Sequence, residues 1–233
     1  MTKPWQGLVL PLAPIPLVKL FINTHIMPNY FVLKKSYEDD IVFLNKHFNT
    51  KIEKMLDIWS RKDVNHFWDP VTPAILAIRD QLEFFKDLSD ADIKIAHVNI
   101  FVCKPNQLGG LHIDGLFSDG SFRHASINLP LSGCNDSYIR WTRTNQYPVG
   151  PVDFRNESNR AVHPGLREAE DCRNWDMIDV LHFNKPTLIK TDTWHAVDNR
   201  LNSNHRVALA FRFGPNLYFE EVYEKFYKLG LVE

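Results

Sequence analysis

Cysteine is scarce in this chain of 233 residues. Three are present, Cys103, Cys134 and Cys172, an odd number and too few for a disulfide framework or a Cys-rich zinc site. A charge excess is missing as well: 27 Lys and Arg stand against 28 Asp and Glu, a formal net charge of −1. No cationic surplus is available to grip duplex phosphates, which argues against nucleic acid as a partner. Gly (10) and Pro (14) fall far short of collagen or a low-complexity linker. No apolar run approaches the ~20 residues that a membrane span needs. The apolar N-terminal stretch is interrupted by Pro11, Pro14 and Pro16, unlike the unbroken core of a signal peptide. A cytoplasmic, reducing setting without membrane contact is therefore expected.

What remains is enough for a core: 44% of residues are hydrophobic and 12% aromatic. Residues 1–35 are Pro-punctuated and apolar, which fits strands or extended cover for a sheet. Over 37–60, Ile41, Leu44, Phe48, Ile52, Met55 and Leu56 recur at helical steps, and Pro73 opens a second apolar periodicity running to about Leu88. From residue 93 the period becomes two. Strands are expected at 93–103, 111–116, 123–131, 137–143, 178–183, 186–191, 194–198 and 205–213, with a closing helix over 217–229. Helices followed by a run of short strands predict one α+β domain, a sandwich or barrel buttressed by N-terminal helices. Residues 144–176 are polar and aperiodic, an insertion that reads as either a lid or disordered decoration.

Chemistry concentrates in His112-Ile113-Asp114, His195 and Arg206. On a strand, positions i and i+2 share a face, so His112 and Asp114 can present an imidazole and a carboxylate together. A second imidazole from a neighbouring strand completes two His and one carboxylate, a set suited to Fe(II) with positions left open. The tripeptide alone is weak, because a chain of this composition yields about one His-x-Asp by chance. Arg206 adds weight. It opens the run RVALAFRF, whose odd positions are large and apolar while its even positions read Arg206, Ala208, Ala210, Arg212. Two Ala beside a fixed cation suggest space for a carboxylate, though a salt-bridged Arg on a solvated face fits that strand equally well. In RHASINLPL, Ser126 and Asn128 share a polar face with His124 and can hold a small polar ligand. His97 and Asn99 also share a face, where a core histidine is the favoured reading.

His-x-Asp, then Trp194-His195-Ala196-Val197-Asp198-Asn199, then Arg206 eleven residues after His195, resembles the Fe(II)- and 2-oxoglutarate-dependent dioxygenases. Within that superfamily, the stretch from His112 through Arg123–Leu131 to Gly133-Cys134 and Ile139-Arg140 is similar to the aspartyl/asparaginyl β-hydroxylase branch. Ser126 and Asn128 depart from the Arg and His common there, and Asp114 is a carboxylate that some members lack. The resemblance covers about residues 93–214. It implies a mainly β, α+β chain with a double-stranded β-helix (jelly-roll or cupin-like) core. In that scheme 1–92 supply N-terminal strands and supporting helices, 93–214 the core with its insertion, and 215–233 a C-terminal helix. It further implies His112, Asp114 and His195 as iron ligands, and Arg206 as the anchor of 2-oxoglutarate with Ser126 and Asn128 beside it. The substrates would be O₂ and a small molecule or peptide. Asp198 or Asn199 would orient the imidazoles, and the 144–176 insertion with Arg140 and Arg143 would meet substrate. Two rival classes stay open: a non-catalytic binding barrel of the same fold, and a cupin-like metal-dependent hydrolase or isomerase.

Overall fold

The structure, a computed structural model, describes residues 27–60, 66–109, 111–114, 124–143, 161–162, 176–214 and 217–233. Helix α1 (Glu38–Ser60) forms where the helical period predicts it and buries Leu44, Phe48, Ile52 and Met55 along one stripe. The single helix expected from Pro73 to about Leu88 is instead three pieces. These are α2 (Thr72–Ile78), a 3₁₀ turn (Arg79–Gln81) and α3 (Glu83–Asp90). The break lies at Leu82, whose backbone is extended (φ −111°, ψ 121°) while its side chain is buried. Asp40 of α1 makes the break tolerable: its carboxylate accepts from the backbone N–H of Glu83 at 3.1 Å and of Phe84 at 2.8 Å. Those N–H groups open α3 and have no partner within the helix.

Two antiparallel sheets carry the rest. In the larger, the order is β1 (Tyr30–Val32), β9 (Thr187–Lys190), β5 (Ala125–Ser132), β11 (Arg206–Phe213), β3 (Ile95–Cys103) and β2 (His66–Pro70). The smaller runs β7 (Ala161–Val162), β4 (His112–Ile113), β10 (His195–Asp198), β6 (Tyr138–Arg143) and β8 (Asp176–His182). From β3 onward the chain passes repeatedly between the sheets, β3, β5, β9 and β11 in one and β4, β6, β8 and β10 in the other. This is a double-stranded β-helix. Two strands from before residue 93, β1 and β2, form the edges of the larger sheet. The sequence His66-Phe67-Trp68-Asp69-Pro70 lacks an alternating pattern and does not predict a strand; its closing Pro is tolerated because β2 is an edge.

The helices cover the outer face of the larger sheet. Val98, Ile100 and Val102 of β3, Ile127, Leu129 and Leu131 of β5, and Val207, Leu209, Phe211 and Phe213 of β11 join one core with Leu44, Phe84 and Phe226. Phe226 belongs to α4 (Phe219–Lys228), the closing helix the sequence predicts. The odd positions of β11 therefore face helices, and its even positions face the space between the sheets. After β5 the chain turns at Gly133, with φ +60°, where a Cβ would lie 2.0 Å from the His205 carbonyl oxygen. No side chain fits there.

Candidate metal and cosubstrate site

Strand pairing brings the two histidines together. His195 at the start of β10 stands opposite His112 of β4, and their ring centroids are 4.5 Å apart. Asp114 lies just beyond β4, tied to the larger sheet by its N–H, which donates to the Thr191 carbonyl at 2.9 Å. His112, Asp114 and His195 are all buried, each offering a ligand atom within 4.8 Å of the others, a group that can hold a metal ion. His112 Nε2 faces Asp114 Oδ1 at 3.7 Å. His195 Nδ1 lies 2.8 Å from the Thr193 carbonyl. A carbonyl only accepts, so Nδ1 carries the proton and Nε2 is left as the ligating nitrogen.

A cavity between the sheets joins this triad to Arg206. Arg206, Ala208, Ala210 and Arg212 all line it, as do Ser126 and Asn128 from β5. Ser126 Oγ donates to Asn128 Oδ1 at 3.1 Å. Arg206 is 3% exposed, and its guanidinium carbon sits 4.4 Å from the centroid of the Phe183 ring. Burial lowers its pKa, an effect that the nearby Cys134 and Cys103 sulfurs oppose. Those thiols are themselves pushed up to about 11 by burial and so stay neutral. Arg206 Nε is buried with no hydrogen-bond partner, and among the described residues no carboxylate pairs with the guanidinium. An always-charged group in that setting is short of an anion. The residues present thus fit both a divalent ion and a carboxylate-bearing cosubstrate.

Other expectations fare differently. His97 is not a core histidine: it is exposed, at the end of β3 opposite Arg212, while Asn99 is buried. Asp198 and Asn199 are engaged elsewhere. Asp198 accepts from Arg140 Nε at 2.6 Å and from Arg200, whose hydrogen bonds with that of Arg140 outweigh burial and lower its pKa. Asn199 donates to the Lys104 carbonyl at 2.8 Å, tying a loop. Arg140 is thus engaged by Asp198. Of the 144–176 insertion, only β7 and Asp176 lie within the described residues, and β7 pairs directly with β4, Val162 opposite His112. Arg212, given no role from sequence, lines the cavity and binds Asp114; its parity with Arg206 was the signal that could have found it.

No protein-family model matches the sequence, and no curated protein matches it. Solved structures do. SnoK, a non-heme alpha-ketoglutarate-dependent carbocyclase from nogalamycin biosynthesis, aligns with a TM-score of 0.50 at 10% identity over 80% of each chain. The chain shares the SnoK fold. HygX from Streptomyces hygroscopicus, solved with nickel and 2-oxoglutarate bound, aligns at 12% identity and a TM-score of 0.41, covering 82% of this chain and 84% of its own. EctD from S. alaskensis, solved with 2-oxoglutarate and 5-hydroxyectoine, gives 12% and 0.43, covering 80% and 72%.

Proposed function

We propose that this chain is an Fe(II)- and 2-oxoglutarate-dependent dioxygenase that hydroxylates an unactivated C–H bond of a polar substrate, such as an amino acid or peptide side chain. One observation carries the proposal: a buried Arg206 guanidinium, without an anionic partner among the described residues, lines the same cavity as a buried two-His, one-carboxylate group. A cupin-like hydrolase or isomerase more often uses several His and no Arg after the last one, and the intact ligand set with Arg206 argues against a non-catalytic binding barrel.

His112, Asp114 and His195 would hold the ion on one side, with the remaining positions left to exogenous ligands. Arg206 would grip the far carboxylate of 2-oxoglutarate; Ala208 and Ala210 leave the cavity open between the two ends. Ser126 and Asn128 would offer polar contacts along the β5 wall. Ile139, Ile189 and Val197 keep the lining dry, which strengthens every charge interaction inside. When bound, the iron supplies the oxidising chemistry, with 2-oxoglutarate as electron donor to O₂. The aspartyl/asparaginyl β-hydroxylase branch is the finer assignment, supported by the His112–Arg140 sequence stretch and pointing to a peptide or amino-acid substrate.

The test is Fe(II)-dependent conversion of 2-oxoglutarate to succinate and CO₂, with and without candidate amino acids and peptides. The parent protein is expected to form succinate, and His112→Ala to form none. No turnover by the parent, coupled or uncoupled, across a broad substrate panel would refute the assignment.

A further inference from the structure

Arg212 stands at the opposite end of β11 from Arg206 and on the same face, lining the same cavity. Its Nη2 donates to Asp114 Oδ2 at 2.9 Å, with both side chains 5% exposed. Its guanidinium carbon lies 5.3 Å from the centroid of the Phe101 ring, which packs against the fork. The two oxygens of Asp114 are thus divided: Oδ2 is held by Arg212, and Oδ1 faces His112 Nε2. Resting on the dioxygenase proposal, we propose that Arg212 is a positioning residue, which ties down one oxygen of Asp114 so that the carboxylate meets the ion through Oδ1 alone.

A one-oxygen carboxylate leaves a coordination position that a two-oxygen one would fill, and a bidentate cosubstrate needs that position. The positive charge of Arg212 repels an incoming cation. Losing the partner of a metal ligand nevertheless typically weakens metal binding by about 10–100-fold, so the orienting effect dominates.

Binding of Co(II), titrated through its visible absorption, tests this without turnover. Arg212→Met is expected to bind Co(II) about 10–100-fold more weakly than the parent and with an altered spectrum, which reports the ligand arrangement. Arg212→Gln, which keeps a neutral donor, should fall between, and it decides the matter on its own if the Met variant does not fold. Asp40→Ala, in α1 and away from the cavity, should bind Co(II) as the parent does. A folded Arg212 variant with affinity within about twofold of the parent and the parent spectrum would overturn the positioning role while leaving the metal site standing. Failure of the parent to bind Co(II) would remove the metal site and this inference together.

Discussion

Arg206 concentrates the argument at the scale of one residue. A guanidinium removed from water, stacked on Phe183 and flanked by neutral thiols, costs the ligand-free protein stability unless an anion joins it. The charge-assisted hydrogen bonds it would give a carboxylate are worth roughly 1.5–3 kcal/mol each. Arg206→Met is accordingly expected to raise the 2-oxoglutarate concentration for half-maximal succinate formation by about 10–100-fold, with Arg206→Lys intermediate because it keeps charge without the fork. Steady-state assays at saturating Fe(II) measure this. Much of this site is legible in sequence because strand parity is rigid: Arg206, Ala208, Ala210, Ser126 and Asn128 reach the cavity as alternation requires. His97 obeys the same parity yet is exposed, since parity says which face a residue takes and not how far along the strand the cover extends.

At the scale of elements, register and capping matter more than composition. The pairing of His195 with His112 is set by the alignment of β4 and β10, which sequence spacing does not encode. The split of the second helix is hidden for a related reason. Ile75, Ile78, Leu82 and Phe85 keep three- and four-residue steps straight through the break, while the group that caps the start of α3 comes from α1. Asp40→Ala removes both acceptors at the start of α3 and is expected to cost about 1–2 kcal/mol of stability. Urea denaturation checks the loss. Co(II) affinity should be unaffected, because α3 packs on the outer face of the larger sheet, away from the cavity.

For the whole molecule, the division of labour follows from which face of the larger sheet each residue takes. Odd positions of β11 spend their bulk against the helices, and that packing holds even positions against a cavity that is otherwise open. β2 escaped the sequence because an edge strand needs no alternation, and the insertion reaches the site through β7, a two-residue strand beside β4. Near-neutral net charge conceals this arrangement: two buried cations line the cavity, one paired with Asp114 and the other without a carboxylate partner among the described residues. The central claim is that the triad and Arg206 form one site for a metal ion and a dicarboxylate. Calorimetric titration of 2-oxoglutarate into the Mn(II)-loaded protein without O₂ tests it most directly. Saturable one-to-one binding is predicted, lost in His112→Ala and weakened in Arg206→Met. Absence of binding by the parent, or binding indifferent to both substitutions, would contradict it.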